Sequence, residues 1–155
     1  MNLRCETAGF VFVLALMWLH PALLAPDESI LINVADRTLS ILDMRGGQLA
    51  QYPIAVGKLE TPTPIGAFLV RSLDPRPVTR SGTFGTRWIE FFRRKSPDGS
   101  WFVYGIHGTN EPRKIGRAVS HGCIRLSNHD IEEVFQRAYV GEPVVIIDDA
   151  RDDKP

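Results

Sequence analysis

The feature that most constrains this chain lies in residues 29–55. Three short runs rich in Ile, Leu and Val (29–33, 38–44 and 49–55) are separated by Ala35-Asp36-Arg37 and Arg45-Gly46-Gly47. Turn chemistry at such intervals joins successive strands into hairpins, so this segment reads as an antiparallel meander. The punctuation Thr61-Pro62-Thr63-Pro64-Ile65-Gly66 precedes another strand at 67–71, and residues 88–92 and 101–106 repeat the aromatic and β-branched signature. One helix is expected. Ser127 with Asp130 three residues on approximates a capping box, Ile131, Val134, Phe135 and Ala138 fall at helical spacing, and Gly141 reads as the stop. A last strand covers 143–147. The expected class is mainly β with one clear helix, in a single domain over 26–150, with the acidic end from Asp148 fraying and 151–155 a tail.

Composition narrows the function. The chain carries 18 Lys and Arg against 18 Asp and Glu, with 44% hydrophobic and 23% charged residues, a globular profile. A neutral chain without a long basic block has little with which to hold phosphates, so nucleic acid is not an expected partner. Two cysteines, Cys5 and Cys123, exclude a disulfide-stapled miniprotein. Residues 9–19 are uncharged, preceded by Arg4 and followed by His20-Pro21 and by Ala25 before Pro26, the layout of a signal peptide. The run is short of the roughly 20 residues that span a bilayer. Leu23 and Ala25 make a poor cleavage site, so residues 1–25 read as a signal peptide or as an uncleaved membrane anchor. Export to the periplasm or cell envelope is expected, with the membrane touched only through this segment. Cleavage would leave Cys123 without a disulfide partner, so it needs another reason to be there.

The chemistry concentrates between His107 and Arg125. Tyr104-Gly105-Ile106-His107-Gly108 ends an expected strand, and Ser120-His121-Gly122-Cys123-Ile124-Arg125-Leu126 follows after a segment of Gly, Pro and charge. A thiol attacks only as thiolate and needs a base or a positive field beside it; His107 is the natural base for Cys123. Gly122 leaves room for an acyl group, and the amides of such a turn can face the oxygen that becomes negative during attack. A metal site from His107, His121, Cys123 and His129 would need both ends of a tight His-x-Cys on one ion and has no second cysteine, so neither a metal nor a cofactor is expected. His129 reads as a solvated first-turn residue. Tyr104 either contacts substrate or packs, Ser120 either stabilises the turn or joins the site, and Arg125 either pairs with Asp130 or Glu90 or contacts substrate.

The paired motifs Ile106-His107-Gly108-Thr109 and Ser120-His121-Gly122-Cys123-Ile124-Arg125-Leu126 resemble the L,D-transpeptidase catalytic domain family of the YkuD type. Thr61-Pro62-Thr63-Pro64-Ile65-Gly66-Ala67-Phe68, Asn128, Asp130 and Gly141-Glu142-Pro143-Val144 extend the resemblance over about residues 29–148. It implies a β-sandwich-like fold, export, and action on peptidoglycan peptide stems, with crosslinking of the wall. It assigns Cys123 as nucleophile, His107 as general base, and the backbone of Gly108 as orienter of the imidazole. His121 and the amides of Gly122 and Cys123 line the acyl site, and Arg125, Ser120, Gly108 and Tyr104 make up the substrate side. An acyl-enzyme would form with release of D-alanine and pass to an amine on another stem or on a wall-attached protein. Water as acceptor, an L,D-carboxypeptidase, is the alternative, and a non-catalytic wall-binding module a third reading. Residues 71–95 add seven basic residues (Arg71, Arg76, Arg80, Arg87, Arg93, Arg94, Lys95) against Asp74 and Glu90. The long loop at 72–87 is expected to flank the site and attract anionic stems.

Overall fold

A computed structural model describes residues 28–75 and 82–150. The hairpins form as the turn residues dictate: β1 (Ser29–Asn33), β2 (Thr38–Leu42) and β3 (Gln48–Pro53) are antiparallel neighbours. Asp43 accepts from the amides of Arg45 and Gly47 in the second turn, where Gly46 takes φ +78°. Two-residue periodicity then separates faces. Ile30 and Ile32 on β1 and Leu39 and Ile41 on β2 point into one buried cluster.

The last strand, β11 (Pro143–Ile147), pairs parallel with β1 and antiparallel with β5 (Gly66–Leu69), which gives a five-stranded sheet in the order β3-β2-β1-β11-β5. The second sheet is built from β6 (Ser72–Asp74), β7 (Trp88–Lys95), β8 (Trp101–His107) and β10 (Ile124–Arg125), in the order β10-β8-β7-β6. Ile89, Phe91, Ile106 and Ile124 from this sheet join the same cluster as the first, and Phe68 meets Phe91 edge-on at 5.4 Å. One core between two sheets is the sandwich-like arrangement expected. A small parallel pair, β4 (Val56–Gly57) with β9 (Ala118–Ser120), holds the 112–120 segment against the first sheet's exit. The eleven strands among the described residues exceed the seven read from sequence, because β4, β6, β9 and β10 are two or three residues long.

The helix, α1 (Asn128–Arg137), starts where expected: Ser127 is the N-cap and its Oγ accepts from the Asp130 amide at 3.0 Å. It covers the core with Ile131 and Val134. Its stop is not Gly141. The helix ends at Arg137 with Ala138 extended, while Gly141, at φ +95°, serves a later turn in which its amide donates to Val70 O. Nor does the chain fray at Asp148: Asn33 bonds the backbone of Asp149 in both directions, donating to O at 2.6 Å and accepting from N at 3.4 Å. The signal or anchor segment 1–25 and the tail 151–155 lie outside the described residues.

Glu142 is fully buried beside the start of β11; its Oε2 accepts from the Tyr139 amide and its Oε1 has no partner among the described residues. Burial, with the charge of Glu28 adding, pushes its carboxyl up to about 7. The native state therefore keeps a proton that the unfolded chain releases near the ordinary carboxylate value, and stability is lost as pH rises from about 4.5 to 7. Glu142→Gln keeps an oxygen for Tyr139 and cannot ionise. It is expected to be more stable than the parent at pH 8, by up to about 3 kcal/mol, and no more stable at pH 4.5. Urea unfolding at the two pH values checks this, and an equal difference at both would exclude a titrating Glu142 as the cause.

Candidate active site

Strand register brings the two motifs together. β10 runs parallel to the end of β8, with Ile124 opposite Ile106 and Arg125 opposite His107, so Cys123, just before β10, comes level with Gly105. The Cys123 thiol is half-buried and free, with Sγ 3.9 Å from Val103 O. The turn before it is built from its own hydroxyl: Ser120 Oγ donates to Cys123 O at 2.6 Å and accepts from the Gly122 amide at 3.0 Å. Gly122 sits at φ +109°, and a Cβ there would lie 2.5 Å from Tyr104 Cε1, so both the backbone and the neighbouring ring require glycine. Ser120 O in turn accepts from the Lys58 amide and from Thr61 Oγ1, each at 3.1 Å, which ties the Thr-Pro-Thr-Pro loop to the cysteine turn.

His107 is 1% exposed. Its Nδ1 lies 2.6 Å from Gly108 O. A carbonyl only accepts, so Nδ1 carries the proton of the neutral ring and Nε2 is left with its lone pair. Trp88 stacks on the imidazole at 5.3 Å and Phe84 meets it edge-on at 4.9 Å. Burial in this apolar box pushes His107 down to about 4, helped by the charge of Arg125 and opposed by the Gly108 bond. Burial also pushes the Cys123 thiol up, against a backbone hydrogen bond at Gly105 and the Arg125 charge. At neutral pH the two groups rest as thiol and neutral imidazole, one just before β10 and the other at the end of β8. Gly108 and Gly85 close around Asn128, whose Oδ1 accepts from the Thr109 amide at 3.1 Å.

Several sequence readings change. Ser120 is 0% exposed and both its hydroxyl bonds are internal, so it shapes the turn and offers nothing to a substrate. Gly108 is likewise buried and acts on the imidazole through its carbonyl. The Gly122 amide is already given to Ser120, which leaves the Cys123 amide as donor from that pair. Arg125, its side chain 13% exposed, pairs with neither Asp130 nor Glu90: Nη1 lies 3.5 Å from Glu111, and Nε is buried without a partner among the described residues. Asp130 lies in the first turn of the helix beside His129, and Glu90 is taken by Arg93 and Arg71. His129 is exposed on the first helical turn beside Asp130 and Glu133.

Tyr104 packs on Phe92 at 5.6 Å and lines a cavity shared with His121. Part of the basic stretch is paired, Arg71 and Arg93 with the one carboxylate of Glu90 and Arg87 with Glu132 at 2.9 Å, while Arg76 and Arg80 lie outside the described residues. Phe84 nevertheless brings the end of that loop onto His107. Sequence reasoning passed over Trp88 and Phe84 because an aromatic in a strand or loop carries no signal of what it faces, and over Glu111 because ion-pair partners are set by topology. Among the described residues no cluster of three or more His, Cys, Asp or Glu side chains is arranged to hold a metal.

Comparison with known proteins follows the same lines. The family model of the L,D-transpeptidase catalytic domain, YkuD, matches residues 27–146. The YkuD protein of Bacillus licheniformis is 39% identical over 117 residues, 74% of this chain and 64% of that protein. An L,D-transpeptidase from Mycobacterium smegmatis superposes with a TM-score of 0.63 at 22% identity, over 77% of this chain and 58% of that one. The LD transpeptidase LdtMt1, solved in complex with imipenem, has a TM-score of 0.59 at 25% identity, over 78% and 59%. The chain thus spans less than two thirds of each of these relatives.

Proposed function

This chain belongs to the L,D-transpeptidase catalytic domain family, and from that membership and the site's geometry we propose a cysteine-dependent acyltransferase acting on peptidoglycan peptide stems. The observation that carries the reading is the neutral His107, its Nδ1 proton held by Gly108 O and its ring boxed by Trp88 and Phe84, on the strand next to a free thiol. Cys123 Sγ attacks the carbonyl that precedes the terminal residue as its proton passes to His107 Nε2. The C–N bond then breaks, the leaving amine takes that proton, and a thioester with D-alanine released is the result. An acceptor amine on a second stem attacks the thioester, gives a proton back through His107, and restores the thiol. Arg125 favours the developing thiolate by its charge, and the Cys123 amide faces the oxyanion.

Transfer is favoured over hydrolysis where a groove orients the acceptor, because effective molarities for held reactants reach about 10⁵ M or more. Incubation of the protein with tetrapeptide muropeptides should yield crosslinked dimers and free D-alanine by mass spectrometry. Tripeptide monomers alone, even with acceptor in excess, would make the enzyme a carboxypeptidase. Imipenem, bound by the relative LdtMt1, serves as a second probe, with an adduct expected on Cys123. The place of action proposed is the cell envelope, supported by the uncharged run at 9–19.

A further inference from the structure

One end of the five-stranded sheet is apolar where it meets solvent. Strand register ends the sheet on Gln48, Leu42, Ser29, Pro143 and Leu69, and the turns 43–47 and 139–142 project beyond that row. Met44 and Val140 in these turns are 75% and 64% exposed, and Leu49, Leu69 and Pro143 beside them are exposed as well. Met44, Tyr139 and Pro143 wall one hollow of about 270 Å³ together with Glu28, Ser29 and Asp43, so the two turns make a single rim. Its acids are occupied. Asp43 accepts from the amides of Arg45 and Gly47, and Glu28 meets Arg137 at 2.8 Å. The exposed Arg45 has no carboxylate in ion-pair range among the described residues. Apolar side chains exposed singly are ordinary, whereas a cluster of them rimmed by charge marks a contact surface.

The chain itself says what meets this rim. β1 begins at Ser29 in the last row of the sheet, and the sequence from Thr7 to Pro26 holds no Asp, Glu, Lys or Arg. Only Asp27 and Glu28 separate that uncharged stretch from the strand. A chain advances at most ~3.6 Å per residue, so two or three residues reach no further than about 10 Å. With residues 1–25 held in a bilayer, the end of the sheet at which β1 starts is the end that must face the lipid, and it is the end where Met44, Leu49, Leu69 and Val140 are bare.

We propose that this rim rests on the membrane in which a retained N-terminal segment is anchored, with Met44, Leu49, Leu69 and Val140 in the headgroup boundary and the Arg45 guanidinium reaching lipid phosphates. The inference rests on the envelope placement proposed above and is independent of the acyltransferase chemistry. It fixes which way the catalytic turn points. Asn33, Thr38 and Pro53 lie at the opposite end of the same strands, and Ala55, two residues beyond Pro53, exchanges both backbone hydrogen bonds with Arg125 at 2.8 and 2.9 Å. The five residues of β1 at about 3.4 Å each put that end about 15 Å further out. Cys123 is thereby turned away from the lipid, towards stems that lie outside the bilayer surface.

The test uses the full chain with Cys5→Ser and Cys123→Ala, given one new thiol at a time by Met44→Cys, Val140→Cys or Leu59→Cys. Leu59 is the control, because it is 92% exposed yet lies at the catalytic end, next to Lys58, whose amide bonds Ser120 O. Each thiol carries a fluorophore, and the protein is reconstituted in vesicles of phosphatidylethanolamine and phosphatidylglycerol with a nitroxide lipid at headgroup depth. An interfacial apolar face sits about 5–10 Å into that boundary, so the probes at 44 and 140 are expected to be quenched about threefold or more above the probe at 59. Val140→Asp with Leu69→Asp should bring the probe at 44 down to the level of the control. Equal quenching at the three positions overturns the inference. So does shielding of 44 and 140 from aqueous iodide without quenching by the nitroxide lipid, since the N-terminal segment or a second copy of the chain then covers the rim. Intact mass of the parent recovered from cells must also show residues 1–25 attached; a mature chain that begins after them removes the tether and the inference with it. Recovery from the cytoplasm with lipid quenching intact removes the envelope placement and keeps the rim.

Discussion

Replacing Cys123 with alanine is expected to lower D-alanine release from tetrapeptide stems by about 10⁴ or more, the size of loss seen when a covalent nucleophile is removed. The fold should survive, because the turn is held by Ser120 Oγ between Cys123 O and the Gly122 amide, and none of those bonds involves the thiol. Cys123→Ser is expected to fail almost as completely. An imidazole pushed down to about 4 is a weak base, adequate for a thiol aided by Arg125 and poorly matched to an alcohol. Release assays with circular dichroism as a control for folding decide the matter. A serine or alanine variant that turns over stems at the parental rate would remove Cys123 from the mechanism.

The larger strands were legible because their physics is local. Ser29–Asn33 and Pro143–Ile147 match the expected bounds, since each is a run of β-branched residues between turn residues. What the sequence does not display is that these two strands lie side by side, parallel, although more than a hundred residues separate them. That pairing is decided by which apolar faces share one core, and no periodicity within a strand encodes it. β10 shows the same limit in small: two residues, Ile124 and Arg125, register the cysteine turn against the histidine strand.

The site was legible in its chemistry and illegible in its support. A lone cysteine after glycine and a histidine at a strand end announce a nucleophile and base, because few other pairs of side chains do that work. The Nδ1 contact with Gly108 O follows from chain adjacency and was also within reach. By contrast, Arg125 could be assigned a partner only by guessing which acid the fold would deliver. Asp130 and Glu90 were nearer in motif or charge, yet Asp130 lies on the first helical turn beside His129 and Glu90 is closed off by Arg93, so Glu111 at the 3-10 turn Pro112–Lys114 is the acid that remains. Ser120 and Tyr104 illustrate the same division: the hydroxyl turned inward because two turn atoms needed a partner, and the ring lies against the cysteine turn because a glycine left space beneath it.

His107→Gln is expected to cost about 10² to 10⁴ in kcat/KM, the usual contribution of a general base. Glutamine can still place a side-chain amide near Gly108 O, so the loss reports proton transfer more than packing. The pH profile gives the sharper result. The base form of His107 is present above its pKa, so the acid limb of kcat/KM should fall with a midpoint near 4, and the parent should be nearly as active at pH 5.5 as at pH 7. A histidine at its ordinary value of about 6.5 would already have lost roughly tenfold at pH 5.5. Because Trp88 stacks on the ring and helps exclude water, Trp88→Ala is expected to move the limb upward, towards the ordinary value.

The same shift has a stability consequence of opposite sign to that of Glu142. Between about 4 and 6.5 the unfolded chain binds a proton at this histidine that the native state refuses, so stability falls as pH falls through that window, by about 3 kcal/mol in full. In the parent this loss overlaps the gain from Glu142 and the two largely cancel; in Glu142→Gln the histidine slope should stand alone. An acid limb near 6.5 in the parent, unmoved by Trp88→Ala, would show that the aromatic box does not set the basicity of His107.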